Sequence, residues 1–120
     1  MMRLNLKRVY EPPDRADGTR FLVERLWPRG ISKEAAKLDG WLKEVAPSDS
    51  LRKWYGHDPK KWEEFRSRYF AELSRAPQSL DPIREATARG TVTLVFAAKD
   101  PELSNARALK DFLEHRETVA

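Results

Sequence analysis

The chain has 120 residues, 35% of them charged and 40% hydrophobic, with a formal net charge of +4 and no cysteine. That length makes one domain with a core that holds without staples, and the missing cysteines exclude a disulfide framework, a thiolate nucleophile and a cysteine zinc site. No apolar run approaches the roughly 18 residues of a membrane span, and the opening MMRLNLKRVYE lacks the apolar centre of a secretory signal, so a cytoplasmic location away from membranes is expected.

The charge is unevenly spread. Residues 1–61 hold 14 Lys and Arg against 9 Asp and Glu, whereas residues 62–120 hold 9 against 10. A basic first half suits an anionic partner, although a well-solvated surface has the same composition.

Leu4, Leu6 and Val9, interleaved with Asn5, Lys7 and Arg8, predict a first strand. EPPDRADG, from Glu11 to Gly18, is a turn-rich loop too short for a crossover helix of ordinary length. RFLVERLW, Arg20 to Trp27, predicts a second strand that Pro28 and Gly30 end. Ser32 caps a short helix through Lys37. Leu38, Trp41, Leu42 and Val45 then follow the i, i+3, i+4, i+7 spacing of a helix, which Gly40 weakens by roughly 1 kcal/mol relative to Ala, with a break near Asp39-Gly40 as the alternative, and Pro47 closes it.

Ser48 or Asp49 caps a brief helix carrying Leu51, Trp54 and Tyr55, and Gly56 stops it. Asp58-Pro59 opens a longer helix with Trp62, Phe65, Tyr69, Phe70 and Leu73 on one face. Asp81-Pro82 opens another, with Ile83 and Ala86 inward and Gly90 as a left-handed stop. Thr91 to Phe96 is a β-branched apolar run, as expected of a strand buried on both faces. Asp100-Pro101 then starts a last helix with Leu103, Ala106, Leu109, Phe112 and Leu113 inward, and residues 115–120 read as a frayed tail. The fold class is therefore α/β: a single domain over residues 1–120, with a small, mostly parallel sheet and helices packed on its faces. Three strands are a thin sheet, which leaves room for a partner chain to complete or cover it.

Two blocks, RFLVERLWPRGISK (Arg20–Lys33) and TLVFAAKDPELSNARALKDFL (Thr93–Leu113), resemble the YeaO-like branch of the "domain of unknown function 488" family. APSDSLRKWYGHDPKKWEEFRSRYFAEL (Ala46–Leu73) and the opening RVYEPP (Arg8–Pro13) match it as well. The resemblance implies an α/β domain with a parallel sheet, of bacterial and archaeal occurrence and without an established activity. Broader relatives carry a cysteine at the position of Ala97 and a Cys-His-Arg-like turn where this chain has Ser104, Asn105 and Ala106. A thiol mechanism is therefore closed to this protein.

If the strands ending at Trp27 and Ala98 are parallel, their ends share one edge of the sheet, where open α/β sheets place ligands. Arg25, Arg29 and Lys99 would converge there and suit a phosphate or carboxylate. The structural alternative pairs Arg25 with Asp39 or Asp100. Trp27 serves as a ring-stacking wall or as core. Asn105 and Asp100 would orient polar groups. Lys99 with Asp100 is the candidate acid/base pair, on the expectation of a partly buried lysine, against a snorkelling surface lysine. His57 beside Asp58 is a weaker catalytic candidate, because adjacent turn residues face each other poorly and Asp58 reads as a cap.

There is no Gly-x-Ser-x-Gly elbow, no Gly-x-Gly-x-x-Gly and no phosphate-binding P-loop. Neither a metal site nor a cofactor is expected. The leading reading is a protein that binds an anionic small molecule, with enzymatic activity left open. One alternative is a nucleic-acid-binding or regulatory module using Arg29, Lys33, Lys37, Arg52, Lys53, Lys60 and Lys61. The other is a structural protein-interaction domain that offers a sheet edge, in a homo-oligomer or to another partner.

Overall fold

Thr91–Phe96 was expected to be a strand buried on both faces, and Val92–Phe96 lies inside the sheet with every residue buried. The computed structural model describes residues 3–119, with side-chain surroundings described to residue 115. Four strands pair in parallel: β1 (Leu4–Arg8), β2 (Thr19–Leu22), β3 (Gly40–Trp41) and β4 (Val92–Phe96), in the order β1-β4-β2-β3. Five α-helices complete an α/β domain: α1 (Lys33–Ala36), α2 (Asp49–Tyr55), α3 (Trp62–Arg75), α4 (Asp81–Arg89) and α5 (Asn105–Val119). Of the tail expected to fray, Ala120 lies outside the described residues, as do the side chains of 116–119.

Alternation along β2 and β4 sorts the core into two parts. Phe21, Val23, Val92, Leu94 and Phe96 face a large cluster filled by Leu51, Tyr55, Phe65, Tyr69, Ile83, Leu109 and Leu113 from α2 to α5. Leu22 and Val95 face a small one with Val9 and Ala36, against which Trp27, Ile31, Leu38 and Trp41 pack. Each fully buried Leu, Ile or Phe contributes about 1.5–3 kcal/mol, so α3 and α5 carry most of the packing. Tyr69 in α3 brings its hydroxyl with it and donates to the Val45 carbonyl. Complete burial, then the charges of Glu24 and Glu72, push that phenol well above its ordinary range.

Several local expectations need correction. The helical spacing of Leu38, Trp41, Leu42 and Val45 does not make a helix. Gly40 and Trp41 instead form edge strand β3, followed by a single 3-10 turn at Lys43–Val45. The Phe21 ring lies over Gly40, where an added Cβ would meet it at 3.1 Å, so glycine here admits a ring rather than weakening a helix. Strand β2 ends at Leu22 and not at Trp27, because the Ala97 N–H that would extend the ladder bonds the Glu24 side chain. Asp81 lies within α4 rather than capping it, after a 3-10 turn at Pro77–Leu80. Gly90 ends α4 in an extended conformation, not a left-handed one. Asp100-Pro101 opens only a 3-10 turn, and α5 begins at Asn105.

Candidate functional site

Because β2 and β4 are parallel neighbours, the residues after Leu22 and after Phe96 leave the sheet on one edge. Between them, α2 and α5 lies a cavity of about 540 Å³, walled by Ala46, Pro47, Tyr55, Phe65, Ala97, Ala98 and Leu103. The size suits a small-molecule ligand.

The chain ties this cavity together by cross-element hydrogen bonds. Arg25 donates from Nε to Pro47 O at 3.0 Å and from Nη2 to Ala46 O at 3.0 Å. Asn105, the first residue of α5, donates from Nδ2 to Val23 O at 2.7 Å, which leaves its amide oxygen as an acceptor. Tyr55 donates its hydroxyl to Leu103 O at 2.8 Å and stacks on Phe65, ring centroids 4.1 Å apart. Burial, with the charges of Asp100 and Asp58, raises the Tyr55 phenol above its ordinary range. Arg8 holds the exit of β4, donating to Ala98 O at 2.8 Å and to Ala97 O at 3.3 Å.

Glu24 and Arg52 give the cavity its electrostatics. The Ala97 N–H donates to Glu24 Oε2 at 3.0 Å. Burial raises the Glu24 carboxyl above its usual range, against the lowering influence of that bond and of the Arg52 charge. Arg52 pairs with Asp49 at 3.3 Å through Nη2, with 39% of its side chain exposed, yet its Nε is buried without a hydrogen-bond partner. Among the described residues no ion pair joins Glu24 to any base, Arg52 included.

Of the residues singled out from the sequence, Arg25, His57, Lys99, Asp100 and Asn105 line this cavity. Their parts differ from those expected. Arg25 bonds backbone carbonyls, not Asp39 or Asp100, and Asp39 accepts from the Arg20 N–H instead. Lys99 is exposed at the mouth rather than partly buried. Asp100 caps the turn before α5 by accepting from the Glu102 N–H at 3.0 Å. His57 is exposed, has a left-handed backbone (φ 58°), and rests its ring 5.8 Å from that of Tyr55.

Trp27 and Arg29 fall outside the cavity lining. Trp27 donates to Ile31 O at 2.8 Å and meets Trp41 edge-on in the small cluster. Arg29 is exposed, its carbonyl accepting from the Tyr10 hydroxyl. Sequence reasoning missed Glu24 as a site residue, and Arg52 was assigned only to a basic face. A carboxylate placed directly after the buried triplet Phe21–Val23 was the available signal. No cluster of three or more metal-ligating side chains occurs among the described residues, and none of their helices is long and apolar enough to cross a membrane.

Residues 3–119 match the family described as the inactive DUF488-N3 subclade. The chain is 43% identical over 114 residues to an uncharacterised protein of Mycobacterium tuberculosis, covering 95% of this chain and 96% of that one. It is also 39% identical over 112 residues to the uncharacterised Escherichia coli protein YeaO, covering 93% and 97%. No solved structure matches it.

Proposed function

Since this chain belongs to the inactive DUF488-N3 subclade, we propose that it works by binding rather than by turnover: it holds a small phosphate- or carboxylate-bearing molecule at the C-terminal ends of its strands. The observation that carries this reading is the largely apolar cavity with Lys99 at its mouth and Arg52 in its wall. Lys99 makes no ion pair or hydrogen bond among the described residues, and Arg52 leaves its Nε unbonded. An anion gives Lys99 the counter-charge it lacks and adds to the one that Asp49 gives Arg52, and each charge-assisted bond contributes about 1.5–3 kcal/mol. Tyr55, Phe65, Pro47 and Leu103 cover the ligand's apolar body, and Arg25 holds the wall in place. The family's description as inactive supports binding without chemistry.

The test is a thermal-shift titration of wild type, Lys99→Ala and Arg52→Ala with inorganic phosphate, ribose phosphate and short dicarboxylates. At a hundredfold excess over its dissociation constant an anion stabilises by about 2.7 kcal/mol, a rise of several degrees. A rise in wild type that shrinks in both variants supports the reading. No rise with any anion, or one equal in all three proteins, overturns it.

A further inference from the structure

Glu24 has a place in this cavity that anion binding alone does not explain. A carboxylate beside an anion site repels the ligand, and a carboxylate and a guanidinium facing one cavity ordinarily pair. Glu24 instead spends Oε2 on the Ala97 N–H at 3.0 Å and forms no ion pair among the described residues. Arg52 turns to the exposed Asp49 and leaves its Nε unbonded. Asp100, the other acid in the lining, is exposed and occupied with the Glu102 N–H.

The remaining polar groups divide by type. Near the strand ends lie acceptors, the Glu24 carboxylate and the amide oxygen of Asn105, which gives one Nδ2 hydrogen to Val23 O and keeps the other. Lys99, at the exposed mouth, and Arg52 add donors to the same lining. Glu24 is half-buried and burial raises its carboxyl, so an N–H donor beside it favours the charged form.

We propose that the cavity recognises a two-ended molecule, with a protonated amine or comparable N–H donor against Glu24 and Asn105 and a carboxylate or phosphate against Arg52 and Lys99. This rests on the anion-binding reading above and specifies the ligand's other end. Glu24 is a specificity residue in this arrangement: it rejects doubly anionic molecules that Arg52 and Lys99 alone would accept.

The experiment uses the full chain and three probe series of matched length. The ω-amino acids from β-alanine to ε-aminocaproate are compared with the dicarboxylates from malonate to adipate and with the corresponding diamines. Binding is read by titration of backbone amide resonances, with the Ala97 N–H reporting at Glu24. For at least one chain length the amino acid is expected to bind about tenfold more tightly than both matched partners. Glu24→Gln should erase that preference while dicarboxylate affinity stays the same or rises. Dicarboxylates that bind wild type as well as the amino acids do, or a preference that survives in E24Q, overturn the two-ended ligand and leave anion binding standing. Failure of all three series here, and of inorganic phosphate in the thermal-shift titration, overturns both. If E24Q does not fold, the wild-type series decides alone.

Discussion

Two carboxylates in this molecule have opposite surroundings, and the contrast separates a structural cluster from a site. Asp17 lies over the smaller face of the sheet between Lys7 of β1 and Arg20 of β2. It receives Lys7 Nζ at 2.9 Å, Arg20 Nη1 at 2.7 Å and the Asp14 N–H at 3.0 Å. Arg20 spends its other nitrogens on Ala36 O and Lys37 O, so a guanidinium only 5% exposed has all three engaged. Burial raises the Asp17 carboxyl, but the bonds from Lys7, the Asp14 N–H and Arg20 outweigh it and leave the group below its ordinary range. Glu24, in the cavity, has one backbone donor and no base paired with it, and its carboxyl moves the other way. Where every donor meets an acceptor, the protein has finished the interaction itself. Where a carboxylate and an arginine share a cavity without pairing, the interaction is left open.

The largest expected effect comes from breaking the finished cluster. Asp17→Asn leaves the Arg20 guanidinium buried beside a neutral amide and should cost about 3–5 kcal/mol, read from urea unfolding. A loss below about 1 kcal/mol would mean that Lys7 and water replace the lost charge. Gly18→Ala attacks the same region through the backbone. At φ 64° an added Cβ would lie 2.1 Å from Thr91 O, so we expect a loss well above 1 kcal/mol. Trp27→Phe removes the bond to Ile31 O in the small cluster and should cost about 1 kcal/mol. It should leave any ligand titration unchanged, because Trp27 lies outside the cavity lining.

The smallest and most discriminating effect concerns pH. Asp17 has a folded-state pKa below its unfolded value. Its contribution is therefore complete above the unfolded value of about 3.9 and is lost as pH falls through the lower folded one. Glu24 has a folded-state pKa above its unfolded value of about 4.3. The folded state then holds the proton more tightly, so stability declines as pH rises from the unfolded value through the folded one. Unfolding midpoints from acid to neutral pH should show Asp17→Asn removing part of the acid-side loss. Glu24→Gln should flatten the decline above it, at a stability near wild type or slightly higher at neutral pH. Changes of the same sign in both variants would erase the distinction between the two carboxylates.

Much of this arrangement could be read from the residues. The apolar, β-branched run at Thr91–Phe96 marks a central strand, and the spacing of Phe65, Tyr69 and Leu73 marks α3. The parallel ends of β2 and β4 locate the cavity and bring Arg25, Lys99 and Asn105 to it. Strand β3 escaped because two residues carry too little periodicity to compete with the apparent helix of Leu38, Trp41, Leu42 and Val45. What makes β3 is tertiary, the Phe21 ring over Gly40 and the Trp41 Nε1–H donated to Glu24 O. Glu24 and Arg52 escaped for a related reason. What marks them is that they share a cavity without pairing with each other, which no residue pattern shows beyond the position of Glu24 directly after Phe21–Val23.

The hydrogen bond from the Ala97 N–H to Glu24 Oε2 has a kinetic consequence. Neighbouring amides of β4 are held by the backbone ladder and exchange their protons with solvent only when the sheet opens. Ala97 is held by a side chain that can release it by a rotamer change, while Arg8 keeps the Ala97 and Ala98 carbonyls fixed. Its deuterium exchange should therefore be faster than that of Val95 and slow further when a ligand locks Glu24 in place, so that one amide on the cavity wall acts as an occupancy gauge for the cavity.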